Sequence, residues 1–179
     1  SEYFPVSFSD LGATITSHPL QASGTDVGGV QISHFEQVHP GTSYGYVFRT
    51  PRAKLVYATD SELDQLLAEP ERAQREPDAP RNLPDSLVQA VSEADLFIAD
   101  AQYFDDEYAG RHGWGHPRAT TVVDLALTAQ VRKLALFHHD PMQSDDRIRA
   151  KVRLCQERAQ ARGGHLEIFA AREGVELKF

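Results

Sequence analysis

Apolar positions along this chain follow two spacings, and the change from one to the other organises the whole sequence. Residues 30–38 (VQISHFEQV) alternate, with Val30, Ile32, His34, Glu36 and Val38 on one side, which predicts a strand with a partly polar face. His39-Pro40-Gly41-Thr42-Ser43 breaks that pattern, because proline lacks a ladder donor and glycine invites a turn. Residues 44–49 (YGYVFR) and 54–59 (KLVYAT) read as two further strands joined by a short link, the second running into Asp60. The spacing then lengthens to the helical one. Residues 82–94 predict a helix with Pro84 in its first turn and Leu87, Val88, Val91 and Ala94 inward. Residues 121–129 predict another, with Thr121 and Asp124 at capping-box spacing and Val122, Leu125, Ala126 and Ala129 as its stripe. The longest helix is expected over residues 145–162, with Ile148, Val152, Cys155 and Ala159 buried and Gly163-Gly164 as its stop.

Short apolar strands fill the gaps between these helices. Residues 94–100 end in the carboxylate of Asp100, and residues 133–137 (KLALF) end in His138-His139-Asp140. Residues 165–169 and 175–179 read as closing strands, and residues 3–19 as β-type chain broken at Asp10-Leu11-Gly12. Residues 21–29 read as a loop, residues 61–68 as a short helix, and residues 69–81 as an exposed, charged, proline-rich loop. A strand-rich first part followed by alternating strand and helix predicts one layered α/β domain over residues 1–179, a mixed sheet with flanking helices.

Composition changes this picture only by exclusion. Hydrophobic content of 41% and charged content of 25% describe an ordinary globular protein. The net charge of −8 argues against a general binder of long nucleic acid, although a bound cation can reverse the local field for a small phosphate substrate. The single Cys155 rules out an intrachain disulfide framework and fits a reducing, cytoplasmic setting. No apolar run is long enough for a membrane span, and no signal-peptide pattern opens the sequence. The only methionine is Met142; removal of an initiator before the first serine, or cleavage from a longer protein, is the expected reason.

Candidate chemistry collects where strands end. His39 follows one strand, Asp60 another, Asp100 a third, and His138-His139 a fourth, while Gly113-Trp114-Gly115-His116 holds an imidazole in a glycine-flanked loop. Each of these alone reads more simply as a turn, cap or loop-packing residue. Together they gain weight, because a layered fold brings strand ends to one edge. Three polar groups after KLALF would also be costly to bury unpaired. Successive side chains on extended backbone point opposite ways, so only one of His138 and His139 faces a given site. His18, His34, His112 and His165 lack such settings and take no role.

The series HPGTSYGYVFR, KLVYATDSE, ADLFIADAQY, GWGH and KLALFHHDP resembles the later motifs of metallo-β-lactamase-fold hydrolases, in the phosphodiesterase branch related to ribonuclease Z. The resemblance implies an αββα sandwich of which this chain is the C-terminal half. It further implies that His39 ligates one metal, that Asp60 bridges two, and that His138 ligates the second. His116 would assist catalysis as a proton donor or phosphate contact, and Asp100 would orient a histidine or the loop. The implied cofactors are two divalent ions, zinc first with manganese or iron as alternatives. The implied reaction is hydrolysis of a small phosphodiester or cyclic nucleotide by metal-bound hydroxide.

The family's H-x-H-x-D-H motif, which supplies four metal-site residues, is absent from the sequence. Gly115-His116 is followed by Pro117 where close relatives carry a serine. Three ligands split over two metals fall short of the four a zinc site normally wants. The chain is therefore expected to be a fragment or split subunit completed by a second polypeptide or N-terminal half, or a homo-oligomer. The alternative is a non-catalytic binding or regulatory module on a degenerate scaffold. A half-sandwich would leave an apolar sheet face to be covered by a partner.

Overall fold

In the computed structural model, which describes residues 10–21 and 23–178, seven strands form one sheet in strictly sequential order. They are β1 (Thr25–Val27), β2 (Val30–Gln37), β3 (Ser43–Arg49), β4 (Lys54–Ala58), β5 (Leu96–Asp100), β6 (Lys133–Phe137) and β7 (Glu167–Ala170). Neighbours from β1 to β4 are antiparallel and those from β4 to β7 parallel. The change follows from the links: tight turns join the first four strands, whereas parallel neighbours need a crossover. The crossovers carry α1 (Pro70–Arg75) and α2 (Asp85–Val91), then α3 (Asp105–Tyr108) and α4 (Ala119–Thr128), then α5 (Asp145–Ala161).

Register explains the core. Val47 pairs with Val56, Val56 with Phe97, Phe97 with Leu134, and Leu134 with Ile168, giving a row of buried apolar side chains straight across the sheet. Val122, Leu125 and Ala126 of α4 and Cys155 and Ala159 of α5 complete that core. The alternate row, Tyr46, Tyr57, Ile98, Ala135 and Phe169, turns to the opposite face by the period of the pleat.

Several elements differ from the sequence pattern for physical reasons. Residues 21–29 contain β1, because Gly28 (φ 62°) and Gly29 (φ 86°) supply the left-handed backbone of a tight hairpin. The expected helix at residues 61–68 contracts to one 3₁₀ turn, Leu63–Leu66, with Glu62 and Asp64 buried in side-chain bonding. The expected loop at residues 69–81 forms α1 and ends on buried Arg81. Thr121 and Asp124 do not cap α4, which begins two residues earlier; Thr121 Oγ1 donates to Asp64 and Asp124 receives Arg158. Residues 175–178 form no strand, with Val175 and Leu177 exposed. Of the β-type stretch at residues 3–19, Tyr3, Phe4, Val6 and Phe8 lie outside the described residues, and Ile15 is exposed and in no strand.

A buried ionic cluster ties the α1 segment down. Asp124 receives the Arg81 amide at 2.8 Å and Arg158 Nε and Nη2, each at 2.8 Å. Arg81 also bonds Thr120, Thr121 and Asp105, while Arg118 Nε donates to Asp64 at 2.8 Å. Burying ions is costly unless they are paired, and here each charged side chain has a partner of opposite charge, although Arg81 Nε itself makes no hydrogen bond.

Candidate metal and hydrolytic site

Parallel register delivers the chemistry to one edge. Ala58 pairs with Ala99 and Ala99 with Leu136, so the chains leave β4, β5 and β6 side by side. The groups that follow are Asp60, Asp100 and His138, and carboxyl ends of parallel strands are where α/β folds place their ligands. Asp60 (φ 55°) and His138 (φ 54°) both adopt left-handed backbone. Such conformations are unfavourable for residues with a Cβ and cluster at functional sites. His138 Nε2 lies 3.2 Å from Asp60 Oδ1.

His116 arrives from the loop between β5 and α4. A bridge between Tyr103 and Arg118 closes the base of that loop, with the Tyr103 amide donating to Pro117 O at 3.1 Å. His116 Nδ1 sits 2.7 Å from Asp100 Oδ2, and its ring stacks on His138 with centroids 4.8 Å apart. Asp100, 2% exposed, also receives the amides of Ser61 and Gln102. Burial pushes the Asp100 carboxyl up from its ordinary range, against the bond to His116. Burial pulls His116 down, but the bond and charge of Asp100 outweigh it and raise the imidazole above its usual value. The pair thus holds its shared proton to higher pH than the free groups would.

Donor atoms of Asp60, Asp100, His116 and His138 all lie within 4.8 Å of one another. Two carboxylates and two imidazoles are a donor set that suits zinc, manganese or iron. The residues present therefore fit a divalent ion, while already pairing among themselves as Asp60–His138 and Asp100–His116.

His39 is near but outside that group. Its ring centroid is 5.7 Å from that of His116, and its Nδ1 accepts the Gly41 amide at 3.2 Å, which leaves the ring proton on Nε2. Gly115 (φ 92°) packs on it so closely that a Cβ would fall 2.7 Å from His39 Nε2 and 2.8 Å from Pro40 Cδ. His139 faces away from the site, with Nδ1 3.5 Å from Lys151 Nζ. Burial and the Lys151 charge push its pKa down to about 4. Of the two adjacent imidazoles, His138 is the one that joins the carboxylates.

The sequence pattern passed over two buried groups. Glu62 is fully buried and accepts from Tyr108, Gly113, Gly115 and Gln65. Burial raises its pKa, but those bonds outweigh it and hold the carboxylate below the usual range. Lys151 is fully buried on a helix face that otherwise reads as apolar, and donates to Ala101 O and Gln102 O at 2.8 and 2.7 Å. The only sequence signal for Glu62 was its place in YATDSE, two residues after the candidate Asp60.

The fold is that of the metallo-β-lactamase proteins. Three solved structures share it: the metallo-β-lactamase fold protein YhfI from Bacillus subtilis, a diphosphatase of the PhnP family, and the short form of human tRNase Z. YhfI aligns with a TM-score of 0.59 at 17% identity over 86% of this chain and 52% of its own. The diphosphatase aligns at 0.58 and 15%, over 96% and 52%, and tRNase Z at 0.52 and 18%, over 84% and 44%. By sequence the chain is similar to ribonuclease Z of Sulfurisphaera tokodaii, 34% identical over 61 residues, which are 34% of this chain and 20% of that protein. Ribonuclease Z of Sulfolobus acidocaldarius is 35% identical over 54 residues, 30% of this chain and 18% of that protein. The chain spans about half the length of the structures it matches and a fifth of these two relatives. No family profile matches it.

Proposed function

We propose that this chain is part of a metal-dependent hydrolase of small phosphodiesters, cyclic nucleotides included, whose remaining metal ligands lie outside these 179 residues. The observation that carries the reading is the convergence of Asp60, Asp100, His116 and His138 at one sheet edge, two of them on left-handed backbone. The short stretch of similarity to two ribonuclease Z proteins supports phosphodiester chemistry. The net charge of −8 favours a small substrate over long nucleic acid.

Asp60, His138 and His39 are the proposed metal ligands, His39 through Nε2 in the tautomer that carries its proton on Nδ1 and gives up the Gly41 bond. Two divalent ions, zinc first and manganese or iron as alternatives, would acidify a bound water and neutralise charge on the phosphate. Asp100 orients His116 through Nδ1, leaving the other ring nitrogen to donate a proton to the leaving oxygen. The bond and charge of Asp100 raise the His116 pKa, which favours the protonated form that role needs.

The partner is proposed to be an N-terminal half or second polypeptide, or a second copy, covering the sheet face of Tyr46, Tyr57, Ile98 and Phe169. The exposed Phe137 at its edge supports this. Among the described residues no helix is long and apolar enough to cross a membrane, and the buried Cys155 supports a reducing, cytoplasmic setting.

A second reading, a non-catalytic binding module, is favoured by the direct pairing of Asp60 with His138 and of Asp100 with His116. Metal analysis of the purified assembly, including any co-purifying polypeptide, separates the two. Stoichiometric zinc, manganese or iron together with hydrolysis of bis-p-nitrophenyl phosphate is the expected result. An assembly devoid of metal and activity would leave the binding-module reading standing.

A further inference from the structure

Glu62 lies two residues beyond Asp60 and is fully buried, yet its partners are four neutral donors. Tyr108 Oη and the Gly113 amide each donate to Oε1 at 2.7 Å. The Gly115 amide and Gln65 Nε2 each donate to Oε2 at 2.8 Å. A carboxylate has about four acceptor positions, so its capacity is filled. Bonds from backbone amides to an ionised acceptor are among the stronger ones in proteins.

The geometry of the loop makes this arrangement directional. Gly113 (φ 84°) and Gly115 (φ 92°) both turn their amides inward, while Trp114 between them is 62% exposed. The Trp114 amide turns back to Arg111 O at 3.1 Å, while the two glycine amides on either side of it converge on one anion, the protein's own carboxylate. On its other side, the Glu62 amide donates to Val38 O at 2.7 Å, one residue before His39. One residue therefore joins the segments that carry His39, Asp60 and His116.

We infer that Glu62 is a positioning residue. Its carboxylate sets the path of residues 113–115, so that His116 meets Asp100 and Gly115 seats against His39. Without it the two glycines, which have no side chains to anchor them, would be free to leave that path. The catalytic consequence rests on the function proposed above; the structural one does not.

The test uses the metal-loaded assembly and two variants. In Glu62→Gln an amide nitrogen replaces one acceptor oxygen and opposes inward N–H groups. Tyr108→Phe removes a single donor and leaves the ring in place. Amide hydrogen exchange at Gly113 and Gly115 is expected to quicken at least about tenfold in Glu62→Gln and by a smaller factor in Tyr108→Phe. Exchange at Leu134 in the sheet should stay at the wild-type rate. In the same Glu62→Gln sample, kcat for bis-p-nitrophenyl phosphate should fall about 10- to 100-fold with KM and bound metal little changed. Should Glu62→Gln fail to fold, the graded response of Tyr108→Phe decides alone. Unchanged exchange at both glycines overturns the inference. A wild-type assembly without activity would refute the proposed hydrolase while the exchange measurement still decides the role of Glu62.

Discussion

His138 Nε2 lies 3.2 Å from Asp60 Oδ1, and both residues hold left-handed backbone at the ends of strands that are not neighbours. β5 stands between β4 and β6. Each side chain therefore reaches over the end of β5, where Asp100 and His116 complete the group. Unfavourable backbone at two meeting points suggests that position here is maintained at the expense of stability.

That trade can be measured. His138→Gly removes an imidazole and relieves a positive φ, so it is expected to leave stability unchanged or raise it by about 1 kcal/mol. The same variant should lose metal from one site. Urea unfolding and metal analysis check the two halves; a clear loss of stability would mean that the His138 contacts outweigh its backbone cost.

Lys151 predicts a pH effect far into the alkaline range. Burial lowers its pKa to about 8, from about 10.4 for a free lysine. Between those values the unfolded chain binds a proton that the folded chain has released, so this group makes stability rise with pH. Below about pH 8 that contribution is absent. The neutral amine still has two hydrogens for the carbonyls of Ala101 and Gln102. Lys151→Met should lack the rise, which is on the order of 3 kcal/mol over the full range. Urea midpoints of the two proteins from pH 7.5 to 10.5 give the comparison, and parallel curves would contradict it.

Asp124 predicts a large stability loss remote from the site. It is 4% exposed, accepts from Arg158 twice and from the Arg81 amide, and lies 3.0 Å from Arg162 Nε in an ion pair. Asp124→Ala leaves a buried guanidinium uncompensated and is expected to cost about 3–5 kcal/mol. Thermal or urea unfolding measures it. A cost under about 1 kcal/mol would show that water or Asp105 takes over.

The outer sheet face predicts an assembly. Native mass spectrometry is expected to find a second polypeptide or a second copy, and Tyr57→Asp should dissociate it while the far-ultraviolet circular dichroism persists. A wild-type monomer at micromolar concentration would count against a partner on this face.

Much of the frame was readable from one dimension. Alternation located β2, short β-type and apolar runs located β3 to β6, the long spacing located α5, and the apolar residues Val56, Phe97 and Leu134 sat on strands that the structure pairs in register. The strand-end positions of Asp60, Asp100 and His138 were visible too, because a polar residue after a short apolar run marks where a buried strand leaves the core. Two of the features that read as bland locally were not bland. Thr121 and Asp124 looked like a helix cap, and Lys151 sits among the apolar positions of α5, yet all three are buried in ionic or polar bonding.

By itself the sequence determined the α/β order of elements and which carboxylates and imidazoles stand at strand ends, since local periodicity records which face of an element is buried. Only the tertiary structure decided that His138 rather than His139 meets Asp60, that Asp100 pairs with His116, and that Glu62 anchors the glycine loop. The reason is that these choices are made by partners 16 to 78 positions away, through register, backbone hand and loop closure. None of those leaves a periodic trace in the chain.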